Sequence, residues 1–326
     1  MKTLLYAVLA CCLLCISCDQ GTSKEKRRYL TESVGRINNL QVIMSNDLWN
    51  GAVGEKVREH FAALTDGLPQ QEPIFSISQM NPEAHTGFAR SSRTFLHVGL
   101  STKDTVGLMN DVYAKPQIGA LIEATSEEKL IALIDEKQEE IVKAFKDSEI
   151  KERQRRSNIS LLKIDSLNER FGVTLKLPSA YRVASASDQF YWFRKDLKDG
   201  TTNVLVYEVP LSAIGKDSAV IGDIITIRDS IGSSYLPVEG DGLFITEASY
   251  APFLFDAEID GKFAYESKGT WTVQDEWMAG PFLNYAVKDE KNNRYLILEG
   301  FTYAPSVEKR DLQFELESIL KSATIE

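Results

Sequence analysis

The chain reads as an α+β protein of two modules, each with a largely antiparallel sheet and flanking helices, following a cleaved lipoprotein signal peptide. Three observations predict this class. Strand-like runs are grouped between helical segments without regular strand-helix alternation. The length of 326 residues accommodates two modest domains. An apolar N-terminal run of signal-peptide length then breaks at Asp19.

In residues 1–17, Lys2 precedes an apolar stretch from Leu4 to Ile16 that ends at the small residue Ser17. The stretch is too short for a spanning helix, which needs about 20 apolar residues. Leu14-Cys15-Ile16-Ser17-Cys18 matches the pattern in which a small residue precedes a cysteine that takes a lipid and becomes the new N-terminus. Cys18 is therefore the expected lipid attachment site, and membrane association through that anchor the expected partner. All four cysteines, Cys11, Cys12, Cys15 and Cys18, lie in this segment, so the mature chain is expected to hold no free thiol. That removes disulfides, cysteine-ligated zinc and cysteine nucleophiles. Residues 18–34 read as a lipidated tether, polar from Asp19 and basic from Lys24 to Arg28.

Residues 35–155 form the expected N-terminal module. Leu40–Met44 reads as a strand, and Val53, Val57, Phe61 and Leu64 fall at helical spacing. Ile74–Ser78 and Thr94–Val98 read as strands. Thr125 and Glu128 form a capping box for a long helix whose apolar face is Leu130, Ile134, Ile141 and Phe145. Residues 156–326 form the C-terminal module. It opens with a helical stretch through Leu161 and Leu167 and continues as strands at 189–194, 204–209, 224–228, 254–259, 262–265, 270–273, 282–287 and 294–303. Asp199-Gly200 and Asp260-Gly261 are the expected turns. Leu312, Leu316, Ile319 and Leu320 mark a closing helix with Ser306 as its cap.

With 37 Lys+Arg against 47 Asp+Glu, the formal charge of −10 argues against nucleic acid as a partner, because phosphate binding needs a basic field. The serine-hydrolase elbow, the phosphate-binding loop and the dinucleotide fingerprint are absent from the sequence. None of the three histidines, His60, His85 and His97, has the spacing of a zinc pair, and no cofactor is expected. Asp256, Glu258 and Asp260, followed by Gly261, begin like a calcium loop, but Ser267 holds the place of the bidentate glutamate. Asp275 and Glu276 between Trp271 and Trp277 form the carboxylate-aromatic group to inspect for a ligand site. No residue is assigned a catalytic role.

Trp271-Thr-Val-Gln-Asp-Glu-Trp-Met-Ala-Gly-Pro-Phe282, Leu298-Glu-Gly-Phe-Thr-Tyr-Ala-Pro305, Lys309-Arg310, Trp49-Asn-Gly and Leu68-Pro-Gln-Gln-Glu-Pro73 together resemble an uncharacterised lipoprotein family of Bacteroidetes-type bacteria, classed as a domain of unknown function. The resemblance implies a lipid-anchored envelope protein, in the outer membrane and facing the periplasm or the exterior. Val173-x-Leu175-x-Leu177-Pro178, Tyr181 and Trp192 resemble the opening of the antiparallel sandwiches of the PsbP and Mog type. The expected function is non-enzymatic binding of an envelope protein or a small ligand, or assembly. The alternative is an Asp/Glu-dependent hydrolase acting on an envelope polymer or glycan.

Overall fold

Helical and strand periodicities separate the chain into two groups of elements in the computed structural model, which describes residues 29–238 and 240–326. The expected signal peptide, the expected lipid site Cys18 and the basic cluster at 24–28 lie outside the described residues.

In the first module, strand β1 (Asn39–Ile43) is followed by helices α1 (Asn46–Asn50) and α2 (Ala52–Phe61), strands β2 (Ser76–Met80), β3 (Thr94–Leu100), β4 (Thr105–Asn110) and β5 (Ile118–Ala124), and helix α3 (Glu127–Ser157). The sheet order is β2-β1-β3-β5-β4. Here the strand direction differs from the expectation: β1 pairs with β2 and β3 in parallel, as do β3 and β5, and only β4 is antiparallel. Alternation of apolar residues reports which face a strand buries but not its direction, and the α1–α2 connection forms a crossover in place of a hairpin. The nearly continuous burial of β3 and β5 fits parallel strands covered on both faces. Helix α3 packs Leu130, Ile134, Ile141 and Phe145 into the core beside Val53, Val57 and Phe61 of α2. Its cap is Ser126, whose hydroxyl accepts from Lys129 N; the expected box at Thr125 and Glu128 is displaced by one residue.

The second module contains α4 (Asp165–Phe171), β6 (Arg182–Ala186), β7 (Phe190–Leu197), β8 (Gly200–Pro210), α5 (Val220–Tyr235), β9 (Phe244–Thr246), β10 (Phe253–Ile259), β11 (Lys262–Val273), β12 (Ala279–Asp289), β13 (Arg294–Tyr303) and α6 (Arg310–Leu320). Its eight-stranded sheet runs β9-β11-β12-β13-β8-β7-β6, with β10 on the remaining part of the β11 edge. Every pairing in it is antiparallel. One face is covered by Leu167 and Phe171 of α4 with Leu316, Ile319 and Leu320 of α6. The other is covered by Val220 and Ile224 of α5.

Residues 224–228, expected as a strand, belong to α5. The β-branched run favours a strand locally, yet Val220, Ile224, Arg228 and Gly232 are buried at intervals of four, the helical period. Arg228 lies over the Phe282 ring at 3.7 Å and reaches Glu299 at 2.9 Å, so tertiary contacts decide the local state. Leu161, expected to open a helix, is extended and bridges to Pro178. The turn at Asp260-Gly261 holds φ values of 50° and 71°, as the expected turn requires.

The modules meet through α6. Its first turn has no cap from its own segment; Ser306 does not supply one. Instead the Glu72 carboxylate of the first module accepts the amides of Lys309 at 2.8 and 3.0 Å and of Arg310 at 2.8 Å. Arg310 Nη1 donates to Pro73 O and Ser76 Oγ. At the other end of the contact, the buried Glu315 carboxylate takes Arg153 of α3, Lys195 of β7 and the Tyr181 hydroxyl. Glu72→Ala should leave two amide donors unpaired at a helix N-terminus and cost roughly 1–3 kcal/mol. Urea unfolding of the variant checks this, and an unchanged midpoint would refute the capping role.

Candidate functional site

Between the modules, α3 faces β10, β11 and α6 across a cleft of about 720 Å³. An inner cavity of about 60 Å³ shares Lys146, Lys268 and Glu317 with the cleft. The loop bearing Gly67 closes the inner end. Gly67 has φ +76°, and a Cβ there would fall 2.8 Å from Lys268 Cβ, so this loop sits directly on β11.

Three lysines and two glutamates gather at the inner part of the cleft. Lys268 pairs with Glu266 at 2.9 Å, and Glu266 also accepts the Tyr285 hydroxyl at 2.7 Å. Lys321 pairs with Glu317 at 2.6 Å, one turn apart on α6 and just beyond it. Lys146 comes from α3, and among the described residues no carboxylate oxygen lies within 4.0 Å of its ammonium group. Burial pushes the Lys146 amine below its ordinary value; Glu317 opposes this, while Lys268 and Lys321 add to it. For Glu317 burial acts upward, but the ammonium groups of Lys268, Lys321 and Lys146 prevail and hold the carboxyl at about 2. Lys146 is thus half-buried, faces the cleft and has no carboxylate in direct contact, although the cleft lining as a whole carries more carboxylates than ammonium groups.

Of the residues singled out from sequence, Asp256 and Glu258 are exposed and line this cleft. Asp260 is directed elsewhere, its Oδ2 accepting Ile325 N at 2.7 Å in the C-terminal strand pairing. Among the described residues no group of three metal-binding side chains is assembled. Trp271 and Trp277 do not bracket Asp275 and Glu276. Trp271 is 1% exposed, stacks on Phe244 at 4.8 Å and donates its indole N–H to Thr302 O. It also borders an apolar pocket of about 250 Å³ together with Trp192, Phe301 and Tyr303. Asp275 sits at φ +62° in the β11–β12 turn, and Asp275, Glu276 and the fully exposed Trp277 project there. Cys18 is outside the described residues.

Lys146, Lys268, Glu266, Glu317 and Lys321 were not legible as a group. Glu317 and Lys321 at helical spacing and Glu266 and Lys268 at strand spacing carry local signals, but three segments far apart in sequence supply the group.

Glu317 makes stability acid-sensitive. Its folded carboxyl lies at about 2 against an ordinary 4.5, so its stabilisation is complete above pH 4.5 and is lost as pH falls toward 2. Glu317→Gln should remove a component on the order of 3 kcal/mol from that acid limb. Chemical unfolding at a series of pH values checks it; an acid limb of unchanged steepness would defeat the assignment.

Among the described residues, no helix is long and apolar enough to cross a membrane. Residues 33–158 match a family model described as a domain of unknown function (DUF8532). Residues 160–322 match another, described as a domain of unknown function (DUF4837). No curated protein matches the chain. With 163 of its 326 residues inside the second match, and with the antiparallel sheet, α4, α5 and α6 contained in it, the chain belongs to the DUF4837 family of unknown function.

Proposed function

We propose that the protein is a lipid-anchored envelope lipoprotein of Bacteroidetes-type bacteria that binds a small ligand in the cleft between its modules and does not act as an enzyme. The observation that carries the binding reading is Lys146. A half-buried ammonium group without a carboxylate partner, in a cleft of about 720 Å³, is costly unless an incoming group compensates it. An anionic group on the ligand supplies that compensation. The exposed carboxylates of Asp256 and Glu258 at the rim select for a positive or hydrogen-bond-donating group beyond it.

The anchor reading is supported by the run ending Leu14-Cys15-Ile16-Ser17-Cys18 and by the polar tether after it. The outer membrane, with the protein toward the periplasm or the exterior, is the location that the family resemblance implies. A diacyl anchor is sufficient for stable retention. The similarity of 173–192 to PsbP and Mog sandwiches bears on fold and carries no activity.

Two measurements test these readings separately. Cys18→Ala should abolish lipid labelling and membrane retention while leaving the unfolding midpoint of the modules unchanged; persistent labelling would defeat the anchor. Native mass spectrometry of protein purified from its own membranes should reveal a bound small molecule that denaturation releases. Glu258→Trp, an exposed substitution that fills the rim, should reduce the bound fraction about tenfold. Equal occupancy in that variant, or no bound mass in the parent, would overturn the cleft reading.

A further inference from the structure

At another end of the eight-stranded sheet, three connections converge: the loop after β8, the β10–β11 turn and the β12–β13 turn. They bring Lys216, Lys262, Lys288 and Lys291 around a concave site of about 520 Å³. In a chain with a formal charge of −10, this wall holds four ammonium groups and one carboxylate, that of Glu290. The local field is therefore opposite in sign to that of the whole molecule, and walls of low polarizability strengthen it.

The internal pairing is incomplete. Glu290 is engaged by Lys288 at 2.6 Å, and Lys262 lies 3.9 Å from the buried Asp289. Lys216 and Lys291 have no carboxylate oxygen within 4.0 Å among the described residues. Two uncompensated ammonium groups match the roughly two negative charges and three acceptor oxygens of a phosphate monoester better than the single charge of a carboxylate. The rest of the wall is aromatic. Phe263 is 41% exposed and meets Tyr265 edge-on at 4.9 Å, with Tyr295 buried behind them. An exposed ring of this size beside a cationic wall offers a flat apolar surface to the uncharged part of a ligand. The volume lies within the roughly 300–1,000 Å³ of small-molecule sites.

We infer that this site binds a phosphate ester, its phosphate held by Lys216 and Lys291 and its ring or apolar face laid on Phe263 and Tyr265. The same monoester chemistry is offered by a soluble sugar phosphate and by a phosphatidic acid headgroup, and the test separates them. The mature chain is titrated calorimetrically at low salt with glucose 6-phosphate, glucose and inorganic phosphate. In a parallel arm it is sedimented with phosphatidylcholine vesicles with or without phosphatidic acid. The site predicts binding to glucose 6-phosphate or to the phosphatidic acid vesicles, and the arm that binds identifies the source. Affinity should fall about tenfold in Lys216→Ala/Lys291→Ala and should weaken as sodium chloride is raised. Phe263→Ala should weaken glucose 6-phosphate but leave inorganic phosphate unchanged. All three positions are exposed, so the variants retain the fold, which far-UV circular dichroism verifies. Binding to neither source, glucose bound as tightly as its phosphate, or undiminished binding in the double lysine variant would overturn the inference. Glu258→Trp, which fills the inter-module cleft, should leave this binding intact.

Discussion

The carboxylate of Glu72 accepts the first amide protons of a helix that belongs to the other module, and much of the molecule's geometry follows from that contact. A helix N-terminus carries unpaired donors and a partial positive charge. In α6 those donors find their acceptor 237 residues away in sequence, with the Arg310 guanidinium seated on Pro73 O and Ser76 Oγ beside it. Further along, Glu315 gathers Arg153 from one module and Lys195 and Tyr181 from the other. Because α6 also packs Leu316, Ile319 and Leu320 into the core of the antiparallel sheet, its orientation is shared by both modules.

The cleft is a consequence of this docking. With the N-terminal end of α6 seated on Glu72, Glu317 and Lys321 face Lys146 on α3, and Glu266 and Lys268 complete the group from β11. Within this inner group Lys268 and Lys321 are each paired with a glutamate, and Lys146 is not. A buried pair is weak evidence of stability, whereas an uncompensated half-buried charge at a concave surface is better explained by a ligand. The basic-aromatic site follows from a different feature, the convergence of three loops at one end of the same sheet. The two sites share no residue; the cleft presents one ammonium group without a carboxylate in contact, Lys146, and the second site presents two, Lys216 and Lys291.

Much of the second module was legible because each of its long strands is amphipathic or wholly apolar and bounded by turns. Arg294–Tyr303 coincides with the observed strand, and Asp260-Gly261 turns where its side chains permit positive φ. Among the readings that the structure overturned, three have particularly clear physical causes. Residues 224–228, read as a strand, carry β-branched residues on a helical period, and burial of Arg228 against Phe282 and Glu299 outweighs the local preference. The direction of β1, β2, β3 and β5 is not encoded in alternation. Asp275 and Glu276 next to two tryptophans suggested a lined site, but one indole faces the core and the other projects from a turn.

The sequence alone determined the α+β class, the closing helix and the acidic character of the chain, because each depends on residue type and short-range spacing. Tertiary structure alone decided which charges face one another. Lys146, Lys268 and Glu317 converge from three distant segments, and Glu72 caps a helix it never neighbours in sequence. Electrostatic partnership depends on separations of a few ångströms in space, and those separations exist only once the two cores have packed and the modules have docked.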